Sequence, residues 1–161
     1  MEVNFSINES DKIRTIDLGF DTDIESEFAE YMGIEDPDLD EITLHISDTE
    51  SGALWCVTDM DDLRELYQLL QDKPMHLKDG EEILDAWCDN MGQLPDSWDS
   101  IEDAYEGKHS SEEEFAQQYA DDICDSQPSE WPQNCIDWEQ AARELFYDYW
   151  MSDDGHVFRN L

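Results

Sequence analysis

Wherever this chain repeats its apolar residues at helical spacing, the outward positions between them are filled with carboxylates. Any fold it adopts therefore has to carry rows of like charge on rigid supports. Acids three or four residues apart on a helix stand about 5–6 Å apart at their Cβ atoms and repel by a few tenths of a kcal/mol per pair. Such helices are weakened by the charge they display, so packing of the apolar stripe must hold them.

The stripes can be read in order. Thr22 and Glu25 predict a capping box, with Ile24, Phe28, Tyr31 and Met32 on one face and Gly33 at the end. Asp23, Glu25, Glu27 and Glu30 are left outside. Thr58 is predicted to cap a helix whose stripe is Met60, Leu63, Leu66, Tyr67 and Leu70, stopped by Lys73-Pro74, with Asp59, Asp61, Asp62 and Glu65 on its other side and first turn. Asp79 and Glu82 predict a second capping pair, followed by Ile83, Leu84, Trp87, Cys88 and Met91 up to Gly92. A short helix is predicted over Ser100–Tyr105, ended by Gly107 and bearing Glu102 and Asp103. Ser111 and Glu114 open a helix of Phe115, Ala116, Tyr119, Ala120 and Ile123, whose polar side carries Glu112, Glu113, Asp121 and Asp122. Asp137 is a natural N-cap, and Trp138, Ala141, Ala142, Leu145 and Tyr149 share the last stripe, with Glu139 and Glu144 turned away. Phe146, Trp150 and Met151 lie off it.

Strand signals are fewer. Val3, Phe5 and Ile7 alternate with polar residues, and Ile13, Ile16 and Leu18 follow, predicting a hairpin. Ile42, Leu44 and Ile46 alternate within a strand over 41–47, Ala53–Val57 is a short apolar run, and Asp154–Asn160 closes the chain as a strand. The fold class is α+β: a short element over 1–22, a mostly helical middle region over 23–95, and C-terminal helices with short strands over 96–161. Gln93-Leu94-Pro95-Asp96-Ser97 marks the second boundary.

The 161 residues hold 44 Asp and Glu against 8 Lys and Arg, a formal charge of −36. Such a chain does not bind nucleic acid through ordinary phosphate contacts. Acidity of this order suggests disorder, but six Trp, six Tyr, six Phe and 39% hydrophobic residues at clear helical period argue for a folded protein. A chain of this length buries about 70% of its unfolded surface.

Reactive signatures are wanting. Pairs of carboxylates arise here by chance, and catalysis needs one of them desolvated with its pKa raised. The chain has no G-x-S-x-G, Walker loop, H-E-x-x-H or Gly-rich dinucleotide turn. Asp36-Pro37-Asp38-Leu39-Asp40 invites a calcium-loop reading, but the sixth and twelfth positions are Glu41 and Ser47 where an EF-hand needs Gly and Glu. His45 reads as a surface residue. The four cysteines, Cys56, Cys88, Cys124 and Cys135, make no C-x-x-C, and reduced thiols in a cytoplasm are expected. No catalytic residue, metal ligand, cofactor or membrane segment is assigned.

The segment Ser100-Ile101-Glu102-Asp103-Ala104-Tyr105-Glu106-Gly107, the acidic helix after it, and residues 135–160 resemble the ArdA antirestriction proteins. The likeness runs from about Ile24 to the end. It implies an elongated DNA mimic, carried by a mobile element or phage, that occupies the DNA-binding surface of type I restriction-modification enzymes and is not itself an enzyme. It also implies a two-fold dimer, with the C-terminal aromatics Trp138, Phe146, Tyr149 and Phe158 as candidate interface, since such rings are enriched at interfaces as well as in cores. Family members carry a longer N-terminal domain, so this one is expected to be reduced.

The mimic reading assigns the phosphate-like surface to Glu25, Glu27, Glu30, Asp59, Asp61, Asp62, Glu65, Glu102, Asp103, Glu112, Glu113, Asp121 and Asp122. Thirty-six charges match those on about 61 Å of duplex, or roughly 18 base pairs. The partner is then the methyltransferase core of a type I enzyme, or another protein with a basic DNA groove, with no direct nucleic-acid binding. Alternatives are a DNA mimic aimed at a different defence system, an acidic chaperone of basic DNA-binding proteins, and a carboxylate hydrolase. Self-repulsion of this size makes stability depend on screening. The thermal midpoint is expected to rise from low to moderate salt in a melting series; a steady fall would contradict this charge picture.

Overall fold

The computed structural model describes residues 2–7, 14–17, 23, 26–27, 29–30, 44–47, 51–123 and 135–160. The chain is α+β and divides into two compact units, Met1–Ile101 and Glu102–Leu161.

Alternating residues near the N-terminus form the predicted hairpin, β1 (Glu2–Ile7) with β2 (Arg14–Asp17). The strand expected over 41–47 is described as β3 (Leu44–Ser47), and it pairs antiparallel with the other side of β1, giving the order β2-β1-β3. Val3 is in register with Ile16 and Phe5 with Ile46. The Asp23 carboxylate accepts from the Ser26 N–H at 3.2 Å and the Ser26 hydroxyl at 2.8 Å, an N-cap arrangement. The box assigned to Thr22 and Glu25 lies outside the described residues, as does the acidic loop over 36–40.

The short apolar run Ala53–Val57 enters a one-turn helix, α1 (Gly52–Trp55). Ser51 caps α1 by accepting from the Leu54 N–H at 3.3 Å, and its own hydroxyl donates to Asp85 at 2.6 Å. Asp85 also accepts from the Ala53 N–H at 3.0 Å, so a carboxylate 34 residues away holds this helix start. A Cβ on Gly52 would run into the Asp85 carbonyl, which explains the glycine at this close approach.

In α2 (Met60–Gln71) the cap is Asp59, not Thr58. Asp59 has extended backbone, and its carboxylate accepts from the N–H groups of Asp61 at 2.9 Å and Asp62 at 3.0 Å. Thr58 instead donates its N–H at 2.8 Å and its hydroxyl at 2.6 Å to Asp62, so the two acids and the threonine lock the turn reciprocally. Met60, Leu63, Leu66 and Leu70 are buried as predicted, Leu69 joins them, and Tyr67 is half-buried. Helix α3 (Gly80–Met91) buries Ile83, Leu84, Trp87 and Cys88, while Met91 stays exposed. Asp79 stands at its N-cap but makes no side-chain cap bond, because its backbone is not extended. Gly92 ends the helix in the left-handed region at φ 68°, as its position predicts. The helix that follows, α4 (Trp98–Ala104), starts two residues before the expected Ser100. Trp98 and Ile101 are buried, and the Trp98 indole N–H donates to the Leu69 carbonyl at 2.6 Å, so α4 begins as part of the first unit.

The second unit packs two helices on a three-stranded sheet. Gly107 does not end a helix: it lies inside β4 (Tyr105–Lys108), at φ 113°, where the pairing with β6 (His156–Arg159) shifts register. Glycine adopts that positive φ without steric cost, so here it serves the strand. The sheet order is β4-β6-β5, with β5 (Tyr149–Met151). Helix α5 (Glu112–Ile123) is opened by Ser111, which accepts from the Glu114 N–H at 3.2 Å. Asp137 caps α6 (Trp138–Leu145) by accepting from the Gln140 N–H at 3.0 Å. Tyr149 is not part of the α6 stripe, because the chain turns after Leu145 and enters β5. Its ring packs 5.1 Å from that of Phe115. Phe115, Tyr149 and Val157 form the core, joined by Tyr119, Leu145, Phe146 and Met151. Phe146 meets Phe115 edge-on at 5.9 Å within that core, whereas Trp150 stacks on its cross-strand partner Phe158 at 4.2 Å outside it, so one small core does not cover all the aromatics left off the stripe.

Burial, followed by the hydrogen bond and charge of Tyr119, pushes the Tyr149 phenol up to about 12 from the usual 10.0. The unfolded chain releases this proton first, so it binds fewer protons than the folded chain between those values, and stability falls as pH rises through that window. Denaturant midpoints measured across it are expected to fall, and Tyr149→Phe to remove part of the fall. Asp62 shows the opposite sign. Burial opposes its ionised form, but the Thr58 hydroxyl and N–H and the Asp59 N–H together hold its carboxyl below the usual 3.8. Its stabilisation is complete above that value and is lost as pH drops through the lower folded one. By urea titration at neutral pH, Asp62→Ala is expected to lose about 0.5–2 kcal/mol and Asp61→Ala less than about 0.5 kcal/mol. The Asp62→Ala deficit should shrink in acid.

Candidate functional site: the acidic surface

Rigid helices decide where the carboxylates stand, because each buried stripe turns the intervening positions outward. In the first unit Glu30, Asp59, Asp61 and Glu65 are exposed, and Glu27 and Asp62 are half-buried. In the second, Glu102, Asp103, Glu112, Asp121 and Asp122 are exposed and Glu113 is half-buried. Glu25 lies outside the described residues. None of the described acids of this set is buried, which is the minimum condition for reaching a partner.

The set is not uniform. Asp59 and Asp62 are wired into the start of α2, so their oxygens serve the backbone as well as the surface. Asp61 pairs with Arg64 at 2.8 Å with most of its side chain in solvent, and such pairs contribute about 0.2–1 kcal/mol. At the start of α5, Glu112, Glu113 and Glu114 crowd the first turn, where the helix dipole favours anions. Glu114 takes the hydroxyl of Ser110 at 2.7 Å and its N–H at 2.6 Å, and these two bonds hold its carboxyl below the usual range.

Acids outside the predicted set extend the surface. Glu81 and Asp89 on α3 are exposed, as are Glu139 and Glu144 on α6, with Arg143 bonded to Glu139 at 2.7 Å. The four-residue step Glu81, Asp85, Asp89, set against the Ile83, Leu84, Trp87 stripe, is the signal that finds the α3 acids. The middle member, Asp85, is half-buried and spent on capping α1.

The four aromatics proposed for a dimer interface part company. Phe158 is 0% exposed and Tyr149 8%, so both rings are already used inside the second unit. Trp138 and Phe146 are half-buried. Among the described residues of that unit, the most exposed apolar side chains are Tyr147 at 80% and Ile123 at 65%, which sequence period alone does not single out.

A cavity of about 450 Å³ in the first unit is lined by Glu65, Asp72, Asp96 and Asp99 over Leu69 and Trp98. All four acids are exposed, the reverse of the desolvation that prepares a carboxyl for acid catalysis. Burial pushes the Cys56 and Cys88 thiols up, away from the thiolate form that nucleophilic chemistry requires. Among the described residues, no group of three or more His, Cys, Asp or Glu is placed to hold a metal ion, and no helix is long and apolar enough to cross a membrane.

Comparison with curated proteins and with solved structures gives no match. Comparison with protein families does: the family described as antirestriction protein (ArdA) matches residues 14–158, which takes in both units and nearly all of the described residues. The chain belongs to the ArdA antirestriction protein family.

Proposed function

We propose that the protein is a non-enzymatic DNA mimic that occupies the DNA-binding groove of a type I restriction-modification enzyme, blocking cleavage and methylation together because both need the same DNA contacts. The observation that carries this reading is the coincidence of family membership with a formal charge of −36, many of whose described acids stand outward on helices in both units. A basic groove meets carboxylates where it would meet phosphates, and release of counterions from both surfaces drives association. Opposite fields make the encounter fast and sensitive to salt. The second unit serves as the dimerisation region in this reading, with Trp138, Phe146 and the exposed Tyr147 as the side chains able to reach a second copy.

Competition with duplex DNA for a purified type I methyltransferase tests the proposal directly. The protein is expected to displace DNA at low salt and to lose affinity steeply as salt rises; absence of displacement at low salt would remove the reading. Because exposed charges each contribute about 1 kcal/mol or less, changing Asp121 or Glu112 alone to Ala should barely weaken inhibition. Neutralising ten or more outward acids on one unit should abolish it, with circular dichroism confirming the fold.

A further inference from the structure

We infer that Cys56 and Cys88 form a dithiol modification site in the first unit, which a low-molecular-weight disulfide closes into an intrachain bond that fastens α1 to α3. This site stands whatever partner the acidic surface meets.

Helix contact brings the two sulfurs together. Cys56 is the C-cap of α1, and Cys88 lies in the last turn of α3. Asp85 ties the start of α1 to α3 through the Ser51 hydroxyl and the Ala53 N–H, and Gly52 lets the two backbones approach closely. The far end of α1 is thereby delivered to Cys88. Cys56 Sγ lies 3.8 Å from the Cys88 carbonyl oxygen, and the two thiols are hydrogen-bonded to each other although 32 residues separate them in the chain. A disulfide needs side chains that face one another across a short backbone separation. Thiols already in contact between two packed helices meet the first requirement, and the close approach of α1 to α3 favours the second.

Exposure sets the order of events. Cys56 is half-buried and Cys88 is 2% exposed, so an oxidant in solution reaches Cys56 first. Cys56 gives its proton to water, and its thiolate attacks one sulfur of the external disulfide, forming a mixed disulfide and releasing one thiolate. Cys88, deprotonated in turn, attacks the Cys56 sulfur and releases the second. Two protein thiols are oxidised, one external disulfide is reduced to two thiols, and the two protons end on the released thiolates. Burial raises the Cys56 thiol against the lowering bond with Cys88, with Asp89 and Asp62 adding to the rise. Burial also raises Cys88, helped by Cys56, Asp85 and Asp89. Thiolate is therefore scarce at neutral pH, and closure is slow. Such a pair answers a sustained excess of disulfide and ignores a brief pulse.

The test uses the intact, reduced protein. It is incubated with excess oxidised glutathione under native, mildly alkaline conditions, alkylated, and digested with trypsin, whose sites at Arg64, Lys73 and Lys78 separate the two cysteines. Mass spectrometry is expected to find the Cys56 and Cys88 peptides joined, and dithiothreitol to part them, while the exposed Cys135 carries glutathione. In Cys88→Ala the reaction should stop with glutathione on Cys56. In the unaltered protein, Cys56 left with glutathione beside a free Cys88, both thiols left unreacted, Cys56 joined to Cys124 or Cys135, or a Cys56–Cys88 bond that forms only in urea would each overturn the site. A failure of Cys88→Ala to fold leaves that map to decide. The closed form is then melted beside the reduced one. Its thermal midpoint is expected to stand about 5 °C or more higher and to return with dithiothreitol; an equal or lower midpoint would overturn the fastening of α1 to α3.

Discussion

Mutual repulsion among the carboxylates is the force against which everything else in this protein is set. Each like-charged pair along a helix weakens it by a few tenths of a kcal/mol, whereas full burial of one leucine contributes about 1.5–3 kcal/mol. A single buried residue on the inward face thus offsets several outward pairs. Leu63, Leu66 and Leu84 on α2 and α3, and Phe115 with Val157 in the second unit, are shut away from solvent. Charge is tolerated outside because these side chains are buried within.

The fold also turns part of its charge to structural use. Helix starts carry orphan N–H groups and the positive end of the dipole, and here acids fill posts that serine or threonine would fill elsewhere. Asp59 and Asp137 cap helices directly, Asp62 and Glu114 reach back to the residues before them, and Asp85 caps a helix that is not its own. An anion satisfied in this way adds to the surface potential while lowering, not raising, the free energy of folding.

Helical period made most of the two units legible, since the stripes of Met60–Leu70, Ile83–Cys88 and Phe115–Ala116 are the buried ones. Caps were displaced by a residue where two candidates stood side by side, as at Thr58 and Asp59, because only backbone conformation decides between them. Tyr149 read as helix because its spacing from Leu145 fits, but the turn at Phe146 and pairing with Arg159 place it in a strand. Tyr149 and Phe158 also show why an interface cannot be read from aromatic content: the same rings suit a core, and only their surroundings separate the two. The bond from Ser51 to Asp85, and the cavity built from residues 65–74 and 95–99, bring together segments with no local signature in common.

Asp85 shows what this division of labour means for how such a chain can change over time. Outward acids are interchangeable parts: one may move along its helix, or swap Asp for Glu, without altering the field that a partner meets. The carboxylate that holds α1 has no such latitude, since its oxygens must meet both a hydroxyl and an amide hydrogen at fixed places. In a protein whose acids look redundant, variation is therefore free at most of them and barred at the few that double as mortar.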